Sequence, residues 1–164
     1  MSVTHPTGFT AAGVPAGLKT NGGKDMALVV NTGPDHSSAS VFTANRCKAN
    51  PILWSEKVVE DGIVRAVVLN SGGANCYTGA EGFQTTHAVA ERVAERLGVG
   101  AVDVVVCSTG LIGLSNPREN LLEGVDHCVS ALAGDSGPHA AEEWRRTGHT
   151  VDRAVPVTGK EHKK

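Results

Sequence analysis

Strand-like and helix-like segments alternate between residues 65 and 133, and this order limits the possible folds more than any other feature of the chain. Residues 65–70 (RAVVLN) and 103–108 (DVVVCS) are short apolar runs rich in valine, which predicts buried β-strands. Each run is followed by a segment with the apolar period of an amphipathic helix. The order predicts an α/β (α+β) fold, a layered mixed sheet with packed helices.

The first predicted helix has a start signal and a stop signal. Thr78 and Glu81 have the spacing of a capping box, in which two side chains satisfy backbone N–H groups at a helix N-terminus. Gly98 is expected to end the helix. The predicted buried face consists of apolar side chains at helical spacing, namely Phe83, Ala90, Val93, Ala94 and Leu97.

The second predicted helix begins near residue 117. Asn116 is predicted to be its N-cap, with Pro117 at the first helical position. Its apolar stripe is formed by Leu121, Leu122, Val125, Val129 and Leu132.

The part before residue 65 contains less regular signals. Residues 7–24 are rich in glycine and are interpreted as a turn-rich entry segment. Residues 26–31 (MALVVN) and 39–43 (ASVFT) are predicted strands, and residues 51–60 are a predicted short helix.

The composition changes towards the C-terminus. Residues 142–164 have more Lys and Arg than Asp and Glu, whereas the opposite holds for residues 1–141. A polar terminus of this kind is typically solvated. We therefore expect one domain at residues 1–141 and a divergent polar tail at residues 142–164.

Charge and hydropathy exclude several classes of protein. A net charge of −2 provides no basic surface for nucleic acid or anionic membranes. The sequence has no apolar run long enough to span a bilayer, and its N-terminus does not resemble a secretory signal. We therefore expect neither nucleic acid nor membrane as a partner, and a cytoplasmic location.

The segment CSTG at residues 107–110 is the first candidate site, because ligands usually bind where the strands of an open α/β sheet end. A turn there can direct backbone N–H groups and the Thr109 hydroxyl at one point, as a developing oxyanion requires. The alternative is a structural turn, in which Thr109 caps its neighbours and Gly110 supplies an unusual φ. The four residues alone favour the structural interpretation.

Cys107 and Ser108 are candidate nucleophiles, but neither lies in a G-x-S-x-G elbow. His87 and His127 fall on predicted helices without a positioned carboxylate, so the spacing does not indicate a catalytic triad.

Residues 70–75 (NSGGAN) form a second glycine-containing segment after a predicted strand. They lack the spacing of nucleotide-binding loops, which favours close backbone packing with Asn70 and Asn75 closing local hydrogen bonds. Histidines and acidic residues do not occur at metal-ligand spacing either. We expect no metal and no cofactor.

Several segments together resemble the ornithine acetyltransferase (glutamate N-acetyltransferase) family of arginine biosynthesis. They occur in the family's order at residues 8–14 (GFTAAGV), 16–19 (AGLK), 25–29 (DMALV), 41–43 (VFT), 65–75 (RAVVLNSGGAN) and 107–113 (CSTGLIG).

The resemblance implies the fold and the chemistry. It suggests the N-terminal domain of an N-terminal-nucleophile-like acetyltransferase fold, present only in part. Family members cleave themselves at an Ala-Thr bond, and the new N-terminal threonine of the second chain carries acetyl from N-acetylornithine to glutamate. A Thr-Gly pair of the first chain stabilises the oxyanion, and this pair corresponds to Thr109 and Gly110. Thr147 corresponds to a substrate-contacting threonine.

Two family segments, Lys-Gly-Ala-Gly-Met and the Ala-Thr cleavage site, do not occur in the sequence. We therefore expect the chain to be inactive alone and to need a β-chain-like C-terminal partner that carries the threonine nucleophile. The alternatives are a non-catalytic small-molecule-binding or interaction module and a truncated gene remnant.

Overall fold

The computed structural model describes residues 2–145. These residues form four strands and four helices. In chain order they are β1 (Phe9–Val14), β2 (Met26–Asn31), α1 (Asn50–Val58), β3 (Ala66–Asn70), α2 (Gly79–Leu97), β4 (Val104–Ser108), α3 (Arg118–Ser130) and α4 (Gly137–Arg145).

The strands form one mixed sheet in the order β1-β2-β3-β4. The β1–β2 and β2–β3 pairs are antiparallel, whereas β3 and β4 are parallel and are joined through α2. The predicted fold class is therefore confirmed, and the strand–helix–strand–helix order between residues 65 and 133 provides its parallel half.

The main core lies between the sheet and the pair α2 and α3. Leu28, Val68, Val93, Val104 and Val125 are all essentially inaccessible to solvent there. A smaller apolar cluster on the opposite face of the sheet includes Ala140 of α4. No helix in this part of the chain is long and apolar enough to cross a membrane.

The entry segment, interpreted as turn-rich, contains strand β1, which the sequence analysis did not predict. Small residues such as Ala11 and Ala12 give β1 little strand propensity of its own, but it pairs with β2 along its whole length. A Cβ on Gly13 would collide with the carbonyl oxygen of His139, so Gly13 allows α4 to pack directly on the strand. Tertiary contacts therefore determine this strand.

The prediction of a strand at residues 39–43 is wrong. This stretch has no regular secondary structure, and Val41 is 99% exposed. The nearest β-structure before this stretch in the chain is an isolated bridge between Ser37 and Ile63. Valine and phenylalanine favour a strand only where another strand lies beside them.

Both predicted helix caps need correction. Thr78 is the N-cap of α2, but its hydroxyl donates to Asn75 Oδ1 instead of accepting a backbone N–H, so the capping box is absent. The N-cap of α3 is Pro117 rather than Asn116. Gly98 ends α2 in the left-handed conformation, as predicted.

The buried face predicted for α2 is correct at Ala90, Val93 and Ala94, but Phe83 is 39% exposed. Phe83 lies in the first turns of the helix, where α1 and the loop at residues 71–78 approach through polar side chains instead.

Helix α1 covers the outer edge of β4. The Trp54 indole N–H donates to the Val104 carbonyl at 2.9 Å. The Ser55 hydroxyl donates to the Val106 carbonyl at 2.9 Å and accepts the Val106 N–H at 3.1 Å. The side chains of a helix thus satisfy backbone groups that another strand would otherwise pair.

Helix α4 was not predicted, and it runs across the expected boundary at residue 141. It packs against β1 and β2. The division into residues 1–141 and 142–164 stays a prediction.

Candidate functional site

Strands β3 and β4 bring the two candidate segments together. Asn70 and Ser108, the last residues of the two strands, are register partners in the parallel pair. The loops that follow them therefore start side by side at the C-terminal edge of the sheet, where ligands bind in α/β folds.

Backbone hydrogen bonds join these two loops. Thr109 N–H donates to the Asn70 carbonyl and Leu111 N–H to the Gly72 carbonyl, both at 3.0 Å. Ala74 N–H returns a bond to the Leu111 carbonyl at 2.9 Å. The turn at Thr109 and Gly110 is consequently held against the glycine segment rather than projecting freely.

Position 110 requires glycine for two reasons. Its φ is 129°, a conformation that L side chains rarely adopt. A Cβ at this position would also collide with the backbone of Gly72, whose own φ is 117°. The close approach of two glycines sets the path of the turn and confirms that the NSGGAN segment serves close backbone packing.

Two hydrogen-bond donors of the turn at Thr109 and Gly110 are not used by the described part of the chain. Thr109 N–H is used by Asn70, but the Thr109 hydroxyl and Gly110 N–H have no partner within residues 2–145. Thr109 is half-buried and Gly110 is exposed, so an acceptor from outside this part of the chain can approach both. Two such donors beside each other are suited to an oxygen that gains negative charge during a reaction.

Residues 2–145 do not assemble a serine-based triad around this turn. The Ser108 hydroxyl donates to Asn70 Oδ1 at 2.6 Å, an amide oxygen instead of an imidazole. His87 lies on α2 against the ring of Trp54, with 4.8 Å between ring centroids. His127 lies in the last turn of α3. Cys107 packs beside the smaller apolar cluster on the far face of the sheet.

Asparagine side chains brace the glycine segment, as the sequence predicted for Asn70 and Asn75. Asn75 Nδ2 donates to the Gly82 carbonyl and to the Thr86 hydroxyl, each at 2.8 Å. Asn116, wrongly predicted as a cap, bonds both backbone groups of Gly73 through its carboxamide. The loop is therefore fixed from α2 and from the start of α3.

Asp25 is a supporting residue that the sequence analysis missed. Its buried carboxylate accepts the backbone N–H groups of Ala16, Leu18 and Lys19. Its carbonyl accepts Ser71 N–H at 2.9 Å, so the entry segment is bound to the site loop. An acidic residue directly before an apolar strand was the available signal.

A cavity of about 430 Å³ opens between the N-terminal ends of α2 and α3. Its wall includes Asn75, Glu81, Asn116 and Arg118, but neither Thr109 nor Gly110. Within residues 2–145, no group of three or more potential metal ligands is present. Thr147, predicted to contact substrate, lies outside the described residues.

The fold defines the chain as a mixed α/β protein, and comparison with known proteins identifies its family. The model of the ArgJ family matches residues 10–164, and the chain therefore belongs to this family.

The most similar relatives include arginine biosynthesis bifunctional proteins ArgJ. The Streptomyces coelicolor protein is 56% identical over 158 residues, covering 96% of this chain and 41% of the relative. The Thermobifida fusca protein is also 56% identical, covering 90% and 38%. The chain thus spans about two fifths of the length of the curated relatives that it matches.

Two solved structures share the fold. Ornithine acetyltransferase from Mycobacterium tuberculosis, complexed with ornithine, is 52% identical with a TM-score of 0.85, and the match covers 87% of this chain and 77% of that one. The Bacillus halodurans ArgJ protein is 29% identical with a TM-score of 0.79. The resemblance to the ornithine acetyltransferase family is confirmed.

Proposed function

We propose that this chain supplies the oxyanion-stabilising part of an acetyltransferase that moves acetyl from N-acetylornithine to glutamate. The observation that carries the proposal is the pair of open donors, the Thr109 hydroxyl and Gly110 N–H, on a turn fixed by Asn70 and Gly72. Membership of the ArgJ family supports the choice of reaction.

The proposed chemistry is acyl exchange in two halves. A threonine hydroxyl attacks the acetyl carbon of N-acetylornithine, and its proton passes to the threonine's own α-amine. The carbonyl oxygen becomes an oxyanion that accepts hydrogen bonds from Thr109 and Gly110. The C–N bond then breaks, ornithine leaves with the proton, and acetyl remains as an ester. Attack by the glutamate amine reverses these steps and releases N-acetylglutamate.

We assign the nucleophilic threonine to a second, β-chain-like partner. A match over 87% of this chain covers 77% of the solved M. tuberculosis chain, whereas a match over 84% of this chain covers only 37% of the curated M. tuberculosis relative. The chain in that crystal is thus about half of the full-length protein, which supports a division into two chains.

The surface beside the turn also supports a partner. Leu111 and Ile112 follow Gly110 directly and are 68% and 69% exposed. Adjacent large apolar side chains that face solvent mark surfaces that another protein covers. We further propose that Thr147 contacts the substrate.

Co-expression tests the proposal. The chain is produced alone and together with the C-terminal part of the S. coelicolor relative, beginning at the threonine of its Ala-Thr cleavage site. Labelled N-acetylornithine and glutamate are supplied, and labelled N-acetylglutamate is measured by mass spectrometry. The C-terminal part alone serves as the matched control. We expect exchange only when both parts are present.

Two results would contradict the proposal. Exchange by the chain alone would contradict the need for a partner and would point to Ser108 or Cys107 as the nucleophile. A stable two-chain complex without exchange would favour the non-catalytic interaction module instead, and calorimetry with N-acetylornithine would then determine whether the complex still binds the substrate.

A further inference from the structure

We propose that Asn70 is a positioning residue for the turn at Thr109 and Gly110, a role that rests on the function proposed above. Asn70 is the last residue of β3 and is only 4% exposed. Its side-chain oxygen accepts the Ser108 hydroxyl at 2.6 Å, and its carbonyl accepts Thr109 N–H at 3.0 Å. One residue thus holds both residues that precede Gly110.

The carboxamide nitrogen of Asn70 points to a function beyond folding. Asn70 Nδ2 is buried and has no hydrogen-bond partner within residues 2–145. Buried polar groups are nearly always paired, because an unpaired donor destabilises the folded state. A leucine of similar size would avoid this loss. Local conflicts of this kind concentrate at functional sites, where a residue is retained for another reason.

The position of Ser108 explains why asparagine is suited to position 70. Helix α1 secures the outer edge of β4 at Val104 and Val106, but Ser108 lies beyond both contacts. The side chain of Asn70 secures this last residue of the strand from the inner side. Because the inaccessible Nδ2 atom cannot touch a substrate, Asn70 acts through Ser108 and Thr109 rather than directly.

The hydrogen bonds of Asn70 also determine which donors of the turn at Thr109 and Gly110 have no partner within residues 2–145. The Asn70 carbonyl occupies Thr109 N–H, so the donors of the turn without a partner in the described part of the chain are the Thr109 hydroxyl and Gly110 N–H. A small displacement of these donors weakens hydrogen bonds that strengthen in the transition state more than it weakens ground-state binding. Loss of the Asn70 side chain is therefore expected to lower kcat and to leave KM nearly unchanged.

The test uses Asn70→Leu in the chain co-expressed with the C-terminal part of the S. coelicolor relative. We expect kcat to fall by about tenfold or more, with KM for N-acetylornithine within about twofold. The melting temperature should change little, because the substitution removes an unpaired buried donor as well as the hydrogen bond to Ser108. Ser108→Ala should lower kcat similarly, and the double variant should show little further loss.

Ser55→Ala is the matched control. Ser55 is also buried and also bonds β4, but it contacts Val106 rather than the turn. It should lower the melting temperature and leave kcat within about twofold.

A lower melting temperature with unchanged kcat in Asn70→Leu would overturn the proposal, since that is the result of a purely structural role. Additive losses in the double variant would also overturn it, because Asn70 and Ser108 would then act separately. If the wild-type pair of chains shows no exchange, the proposed function fails, and the role of Asn70 fails with it. If the wild-type pair exchanges acetyl and the pair with Asn70→Leu exchanges it equally fast, only the proposed role of Asn70 is wrong.

Discussion

Thr109 and Gly110 divide their hydrogen-bonding groups between the fold and the proposed chemistry. Thr109 N–H joins the turn to β3, while the Thr109 hydroxyl and Gly110 N–H stay open. The family resemblance identified both residues from the sequence. It did not reveal which donors are open, because that depends on the register that places Ser108 opposite Asn70. Asp25 was missed for a similar reason, since its role requires the folded path of residues 16–19.

Gly110→Ala should destabilise the chain far more than the same change at Gly113. Both glycines have positive φ, at 129° and 82°, but only Gly110 would place a Cβ against Gly72. We expect Gly113→Ala to lower the free energy of unfolding by about 1–2 kcal/mol through backbone strain alone. Gly110→Ala should add a further ~1–3 kcal/mol from the collision. Urea unfolding of both variants measures the difference, and equal losses would show that the contact with Gly72 is unimportant.

Elements with strong local patterns were predicted from the sequence, and elements that depend on neighbours were not. The valine-rich β3 and β4 and the amphipathic α2 and α3 lie close to their predicted positions. Strand β1 has weak propensity and forms through pairing with β2 and contact with α4. Residues 39–43 show the opposite case, since strand propensity without a neighbouring strand produces no strand.

At this scale, the contact between α1 and β4 provides a prediction. Ser55→Ala removes both hydrogen bonds to Val106 and leaves two buried backbone groups unsatisfied. The free energy of unfolding should fall by about 1–3 kcal/mol. Ser130→Ala is the matched control, because its hydroxyl bonds the Asp126 carbonyl on an exposed part of α3. It should change stability by less than about 0.5 kcal/mol. Thermal or urea unfolding compares the two, and similar losses would contradict the role given to Ser55.

At the scale of the whole molecule, residues 2–145 place helices on both faces of the sheet, with α4 on the face opposite α2 and α3, and the turn at Thr109 and Gly110 at one edge. Helices α2 and α3 bury one side of the sheet, whereas the turn and the apolar residues after it stay open to solvent. The chain spans 41% of the S. coelicolor relative. We propose that a second chain approaches this open edge. In the two-chain assembly that we propose, this part positions the oxyanion donors and its partner provides the nucleophile.

The most direct test of this account is the kinetics of Thr109→Ala and Thr109→Ser in the co-expressed pair of chains. We expect Thr109→Ala to lower kcat by about 10²–10³-fold, because one oxyanion donor is lost. Thr109→Ser keeps the hydroxyl and should retain kcat within about tenfold. Both variants should form the two-chain complex as the wild type does. If Thr109→Ala exchanges acetyl as fast as the wild type, the hydroxyl does not stabilise the oxyanion, and the central claim is wrong.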